Sequence, residues 1–445
     1  MIGPSPYESY VYAYPHKTAY RPLEPKPLLA DLWRGERRDA LSFYAHIPFC
    51  EVRCGFCNLF TRTSTPEGLP GLYLDALERQ APAVRRALEE SGPAPGFAVA
   101  AIGGGTPTYL SAAELTRLFD LVEGVMGVPL GRIPLSVEAS PATATPDRLA
   151  VLAERGTTRL SLGVQSFVDT EARAAVRPQK RADVQTALDA VRAAGIPILN
   201  IDLIYGIEGQ TEQSWTTSLD AALAWKPEEI YLYPLYVRPL TGLGRLAAAA
   251  DLDAQWDTHR LALYRAGRDH LRANGYEQTS MRMFRRADGP TVTGGEDYTC
   301  QSDGTIGLGC GARSYTGTLH YSFDYAVSAH EVRAIIDEYA ATRDFTRAQV
   351  GFALGLDEQR RRHVVQSLLQ ADGLGADAYR ARFGASPAAD FPAEFEALHQ
   401  RGFLTPATED SPARLTDEGL AWSDAIGPLF FSAAVRGLMR DCEAK

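Results

Sequence analysis

Cysteine is scarce in this chain: six in 445 residues, three of them within eight positions. That is the usage of a metal site rather than of a disulfide framework. Positive charge is also short, with 45 lysines and arginines against 55 aspartates and glutamates and a formal net charge of −10. The balance argues against nucleic acid as the main partner, because neutralising a phosphate backbone needs a surplus of cations. No apolar run reaches the roughly 18 residues that cross a bilayer. The opening MIGPSPYESYVYAYPHKTAY lacks the charged-then-apolar layout of a secretory signal. Internal repeats and low-complexity tracts are missing too. The expectation is a globular cytoplasmic protein with no membrane partner, long enough for two or three domains.

What is present is a rhythm. From about residue 41 to 237, short segments rich in β-branched and aromatic residues alternate with longer stretches of helical periodicity. The predicted strands are Leu41–Ile47, Phe97–Gly103, Leu135–Ala139, Arg159–Gln165, Ile198–Tyr205 and Glu229–Val237. The predicted helices are Leu72–Glu90, Ala112–Val125, Pro146–Arg155, Arg181–Ala194 and Glu212–Trp225. Successive βα units of this kind predict an α/β fold, a partial (β/α)6 TIM-like barrel whose working residues sit where strands end. Asp288-Gly289-Pro290 with Gly294-Gly295 predicts a loop or an edge hairpin. The divisions read from the sequence are an N-terminal arm over 1–40, the barrel over 41–240, a barrel-completing, substrate-facing segment over 241–329, and a mostly helical, winged-helix-like domain over 330–445. The acidic balance favours a lid or scaffold role for that last domain over DNA binding.

Directly after the first barrel strand, HIPFCEVRCGFCNLF places Cys50, Cys54 and Cys57 in a C-x3-C-x2-C spacing. Three thiolates hold three irons of a cubane and leave the fourth without a protein ligand, open to a small molecule. A structural zinc site is the rival, but it wants four protein ligands, and no second cysteine pair follows nearby. Unligated reduced cysteines are the remaining alternative.

At the end of the next strand, AIGGGTPTYL supplies Gly104, Gly105 and Thr106, where bare backbone and a hydroxyl can approach a ligand. The same turn also suits a tight connection or a phosphate cradle. LSVEAS puts Glu138 at a strand end, RLSLGVQSF puts Gln165 at the next and NIDLIYGIEGQT puts Asp202 on the one after. Carboxylates inside strands are costly unless paired, so Glu138 and Asp202 ask for a cationic or hydroxylated ligand, or for a structural ion pair. Arg177 is suited to a bidentate contact with a ligand carboxylate.

Taken together, YAHIPFCEVRCGFCNLF, GGGTPTYL, VEASP, RLSLGVQSF, Arg177, NIDLIYGIEGQT and IGLGCGARSY resemble the radical S-adenosylmethionine superfamily, and within it the oxygen-independent coproporphyrinogen III dehydrogenase-like family. The resemblance spans about residues 40 to 320. It implies a [4Fe-4S] cluster on Cys50, Cys54 and Cys57, with S-adenosyl-L-methionine chelating the open iron. It implies that Glu138 and the glycine turn bind the methionyl amino group and that Arg177 binds its carboxylate. Gln165 and Asp202 would hold the ribose, Phe56 and Ile204 would flank the adenine, and Tyr44 would lie near the sulfonium. The implied activity is reductive cleavage of S-adenosylmethionine to methionine and a 5′-deoxyadenosyl radical that oxidises a small-molecule substrate. An electron donor such as flavodoxin or ferredoxin is implied as partner.

The chain departs from that family where substrate is met. Arg282 and Arg313 stand at positions where the family pattern has other residues, which suggests an anionic ligand or surface salt bridges. His16, Lys17 and Arg21 on the arm are further candidates to meet substrate carboxylates. Cys300 and Cys310 read as small buried residues ahead of a radical-quenching thiol or an auxiliary metal ligand pair. Two other activities stay open: a C-methylase using two S-adenosylmethionines, and a haem chaperone. The His-Asn-x-x-Tyr-Trp haem motif of the chaperones is not found, and His320 and Tyr325 are a poor substitute.

Overall fold

The structure is a computed structural model and describes residues 2–11, 13–177, 179–238, 240–246, 254–290, 304–405 and 412–442. Cys300 and the Gly294-Gly295 pair lie outside the described residues. Thirteen strands form one sheet among those described: β1 Arg21–Pro22, β2 Leu41–Ile47, β3 Phe97–Gly104, β4 Leu135–Ala139, β5 Arg159–Gln165, β6 Ile198–Tyr205, β7 Glu229–Pro234, β8 Tyr276–Gln278, β9 Met283–Arg286, β10 Thr305–Leu308, β11 Arg313–Tyr315, β12 Leu319–Ser322 and β13 Val350–Ala353. Their order is β1-β13-β12-β11-β10-β2-β3-β4-β5-β6-β7-β9-β8.

The six strands β2 to β7 are parallel neighbours in chain order, the partial barrel expected from the βα rhythm. β2 and β6 are buried on both faces, as strands covered by crossover helices must be. The helix Leu69–Glu90 shows how the outer face is covered. Tyr73, Leu74, Leu77, Ala81, Val84 and Leu88 recur at helical spacing and are buried, while its charged residues face outward.

β7 stops at Pro234 and not at Val237. Pro234 pairs with Tyr205, and with no N–H of its own it ends the ladder. The chain then turns over the mouth of the barrel. β10 adds a seventh parallel strand beside β2, and β11, β12, β13 and β1 continue antiparallel from it. On the opposite edge β8 and β9 form a hairpin on β7, joined through residues 279–282, and the chain turns again at Gly289 after β9.

The main core runs on through Val332, Ile336, Tyr339 and Ala348, past residue 330, where the sequence suggested a boundary. A second core takes up at Val364 and continues to Val435. Around it lie the helices Leu356–Leu368, Ala376–Phe383, Pro392–Gln400, Ser423–Leu429 and Ala433–Arg440. Antiparallel bridges Leu374–Ala413 and Leu404–Leu415 make a small wing.

The N-terminal arm is built into both cores. Tyr7 is part of the main core, whereas Tyr14 and Ala19 are part of the second. Two of its three polar candidates for a substrate are committed locally: Arg21 donates to the carbonyls of Thr18, Tyr20 and Leu438, and His16 caps the short helix Lys17–Ala19.

Candidate active site

The three cysteines sit on a loop leaving β2, and the backbone around them is fixed on both sides. Cys50 N–H donates to Arg62 O at 3.0 Å, and Thr106 N–H donates to Phe49 O at 2.8 Å. Gly55 N–H donates to Ala175 O at 3.0 Å, and Gly55 O accepts from Leu243 N–H at 2.7 Å. Beside Cys50, the glycine turn that ends β3 comes very close. A Cβ on Gly105 would lie 2.6 Å from Phe49 O and 3.0 Å from Cys50 Sγ. Only a glycine lets this turn lie against the cysteine.

Side-chain donors reach the sulfurs. Thr106 Oγ1 donates to Cys50 Sγ at 3.5 Å, and Arg177 Nη1 donates to Cys54 Sγ at 3.1 Å. Burial pushes the Cys50 thiol up to about 12, against the pull of Thr106 and with Cys57 and Cys54 adding to the rise. Burial also raises Cys57. Such thiols are poor nucleophiles and become thiolates by giving up their protons to a metal. Among the described residues no group of three His, Cys, Asp or Glu side chains is gathered closely enough for a single metal ion. A cubane asks for a wider arrangement, because each thiolate takes a separate iron. Three cysteines on one clamped loop, with a glycine turn beside them, fit a [4Fe-4S] cluster.

The strand ends add the rest. Glu138, on β4, accepts from Gly104 N–H at 3.0 Å. Its carboxylate is open to an interior cavity yet enclosed by the barrel wall. Burial raises its pKa, the Gly104 N–H offsets part of that, and the nearby Asp202 adds to it. Asp202, on β6, accepts from Asn200 Nδ2 at 2.7 Å and Ser161 Oγ at 3.1 Å, and burial is the main cause of its raised pKa. Gln165 ends β5 at φ 71°, a left-handed conformation uncommon outside glycine. Its side chain folds back over Gly163, and a Cβ on Gly163 would meet Gln165 Nε2 at 2.9 Å. The Gly163 carbonyl accepts from Arg177 Nη2. Phe56 and Ile204 meet in a separate apolar cluster with Ala175, Ile207 and Leu235.

Cys50, Cys54, Gly104, Gly105, Thr106, Glu138, Gln165, Arg177 and Asp202 thus gather at this end of the sheet. Tyr44, Gly104 and Glu138 open onto one cavity of about 220 Å³. The cavity also collects His46, Tyr10 and Asp324, which sequence reasoning missed, beside Lys17 and Arg313, which it had singled out. His46 lies between Gly104 and Gly311, each of which would clash with its imidazole if it carried a Cβ. His46 Nε2 lies 3.1 Å from Phe60 O and Nδ1 lies 3.1 Å from the Tyr44 hydroxyl. A carbonyl can only accept, so Nε2 carries the proton and Nδ1 accepts from Tyr44. The arm contributes Tyr10 and Lys17, and the far side contributes Arg313, Asp324 and Tyr325. The glycines of GGGT and GCGA, which pack against His46, were the signal available for it; nothing local marks Tyr10.

Comparison with known proteins agrees with this geometry. Residues 44–222 match the Radical SAM superfamily. The chain is 27% identical over 383 residues to the haem chaperone HemW of Bacillus subtilis, covering 85% of this chain and 96% of that one. It is 29% identical over 344 residues to the oxygen-independent coproporphyrinogen III oxidase of Escherichia coli, covering 74% and 71%. The solved structure of coproporphyrinogen III oxidase (HemN) from Escherichia coli superposes with a TM-score of 0.78 at 25% identity, covering 95% of this chain and 96% of that one. When bound, the superfamily's two cofactors, a [4Fe-4S] cluster and S-adenosylmethionine, supply one-electron reductive cleavage of a sulfonium. By cysteine loop, glycine turn and whole-chain fold, the chain resembles the radical S-adenosylmethionine superfamily, and within it both coproporphyrinogen III oxidases and the haem chaperone HemW.

Proposed function

We propose that this chain is an oxidoreductase that removes hydrogen from an organic substrate held in the cavity beside Tyr44, and that the substrate resembles a porphyrinogen. In this reading Cys50, Cys54 and Cys57 ligate the cluster. Glu138 and the Gly104-Gly105-Thr106 turn take the methionyl amino group of S-adenosylmethionine, and Arg177 takes its carboxylate. Gln165 and Asp202 take the ribose hydroxyls, while Phe56 and Ile204 flank the adenine. The observation that carries the reading is the cavity itself. Tyr44, Gly104 and Glu138 wall it on the barrel side, and Tyr10, Lys17 and Tyr325 wall it on the other. A substrate in it lies against the nucleotide-binding strand ends and is shielded from water by the arm. An external one-electron carrier such as flavodoxin or ferredoxin would supply the reducing electron.

The match to a haem chaperone supports a second reading, in which the chain carries haem. His320 does not favour it. That imidazole is wholly buried, with Nε2 3.0 Å from Arg362 Nη1 and its ring 4.1 Å from that of Tyr315. A methylase reading has no observation of its own in its favour.

Anaerobic protein loaded with iron and sulfide, then given dithionite and S-adenosylmethionine, separates these readings. The oxidoreductase reading expects 5′-deoxyadenosine, no S-adenosylhomocysteine and no stoichiometric retention of haem. S-adenosylhomocysteine as co-product would move the assignment to methyl transfer, and haem retention without nucleoside cleavage would move it to a chaperone.

A further inference from the structure

Four carboxylates are buried among the described residues, on Glu171, Glu228, Glu229 and Asp424. Three of them face arginines: Glu228 pairs with Arg192, Glu229 with Arg159 and Asp424 with Arg282. Glu171 is met by neutral groups instead. It sits on the short helix Asp169–Ala174 and is 3% exposed. Its Oε2 accepts from Ser166 Oγ at 2.7 Å and from Gln210 Nε2 at 3.1 Å, and both of these residues are buried. A carboxylate buried without a countercharge costs folding free energy. What such a network supplies is order, because hydrogen-bonded polar groups in the interior hold one arrangement of the segments they join.

The segments joined here are the exits of two strands, β5 and β6. Ser166 directly follows Gln165 at the end of β5. A carboxylate only accepts, so the Ser166 proton points at Glu171, and its oxygen is left to accept from Val168 N–H at 2.9 Å and from the Ser218 hydroxyl at 3.3 Å. Ser218 Oγ in turn accepts from Phe167 N–H at 3.2 Å. Gln210 does the same for β6. Its Oε1 accepts from Gly206 N–H at 2.7 Å, and its Nε2 also reaches Ile204 O at 3.3 Å. The helix that carries Glu171 is fixed to the cysteine loop as well, since Ala175 O, one residue past its end, accepts from Gly55 N–H.

We propose that Glu171, through Ser166 and Gln210, is a positioning residue for the adenosyl half of S-adenosylmethionine. It acts through the backbone at Gln165 and Ile204, the residues assigned above to the ribose and the adenine. The assignment rests on those proposed contacts and adds the group that holds two of them in register. Glu171 Oε1 receives no hydrogen bond among the described residues. A glutamine with its oxygen in the Oε2 place therefore keeps both bonds, whereas a leucine fills a similar volume and keeps neither.

The test uses the full chain loaded with its cluster, and reads equilibrium binding of S-adenosylmethionine, 5′-deoxyadenosine and L-methionine. Glu171→Leu is expected to weaken S-adenosylmethionine and 5′-deoxyadenosine by about 10-fold each and to leave L-methionine within about 2-fold. Glu171→Gln should stay within about 3-fold of wild type for all three ligands. A merely structural glutamate would lower the melting temperature without dividing the two halves of the ligand in this way. Iron content and melting temperature report folding. If Glu171→Leu does not fold, Ser166→Ala, which cuts the link to β5, is read on the same three ligands and is expected to show the same split. Unchanged nucleoside affinity in a folded variant, or equal loss of 5′-deoxyadenosine and L-methionine, overturns the positioning role. Failure of the functional reading is seen separately, as absence of 5′-deoxyadenosine formation by the wild type under reducing conditions.

Discussion

Arg282 and Asp424, 142 residues apart, form a buried ion pair in which the guanidinium Nη2 donates to the carboxylate Oδ2; the side chains are 9% and 1% exposed. The Tyr236 hydroxyl donates to the same oxygen. Val11 N–H reaches Oδ1 at 3.4 Å, and Ser9 N–H reaches the Asp424 carbonyl at 3.2 Å. On its other side the Arg282 guanidinium lies 4.1 Å from the ring centroid of Tyr10, a wall of the cavity. One carboxylate on the helix Ser423–Leu429 therefore joins the arm, the strand-end loop after β7 and the C-terminal module. The sequence had suggested Arg282 as a contact for an anionic ligand; its charge is instead matched within the protein.

Removing one partner of such a pair strands the other charge away from water. Asp424→Asn is expected to cost about 3–5 kcal/mol, read as a lowered denaturant midpoint. Replacing both residues, as Asp424→Leu with Arg282→Met, should restore part of the loss because no buried charge remains. A single Asp424→Asn variant as stable as wild type would show that the pair does not hold these elements together.

The glycine turn gives a prediction about metal loading. Gly105→Ala drives a methyl group into Phe49 O and against Cys50 Sγ, and Gly104→Ala sets one 2.4 Å from the His46 ring at a backbone φ of 114°. Both variants should take up less iron during reconstitution and show weaker thiolate-to-iron absorption. Gly124→Ala is the control: its Cβ meets nothing within 4 Å, and it should load as wild type does.

Much of this was legible along the chain because it is local. β2 and β6, buried on both faces, print largely apolar runs, and β4 and β5 print alternation, so all four fall where the pattern puts them. Likewise Cys50, Cys54 and Cys57 lie within a single loop. What escaped is long-range. No periodicity relates Asp424 to Tyr236, Arg282 and Val11, and none brings Lys17 to Tyr325. The boundary near residue 330 misled because the helix Ala329–Ala341, which has its own cap at Ser328, reads as the start of a helical domain although its apolar face packs on the main core. Amphipathicity says that a face is buried, not against what.

Acid should weaken the fold through its buried histidines. His46 and His363 are each lowered from 6.5 to about 4, both mainly by burial. The unfolded chain therefore binds protons more readily between those values, and the stabilisation present above about pH 6.5 is lost as pH falls toward 4. Glu138 and Asp202, raised by burial, tilt the balance the opposite way, so the clean measurement is a difference. Between about pH 7 and pH 4.5, wild type should lose about 2 kcal/mol more than His363→Gln. Parallel stability profiles for the two proteins would show that His363 is not held neutral.

Gln165 carries the most instructive trade. A non-glycine residue held at φ 71° costs about 1 kcal/mol in backbone strain. The surrounding ladder sustains that cost, since the register between β5 and β6 shifts between Gly163 and Gln165. The strained turn lays the amide of Gln165 over Gly163, whose carbonyl also receives Arg177. Gln165→Gly relieves the strain, and the gain is partly cancelled by the greater freedom of glycine in the unfolded chain. Folding stability should therefore change by less than about 1 kcal/mol in either direction. If Gln165 holds the ribose as proposed, its loss should weaken S-adenosylmethionine binding by about 10-fold, measured by equilibrium binding to the cluster-loaded protein. Gln165→Ala keeps the strain and loses the amide, so it should fall in affinity as far as Gln165→Gly while also losing stability. Affinity retained in both variants would make the conformation a structural feature of the β5 end and remove Gln165 from the nucleotide site.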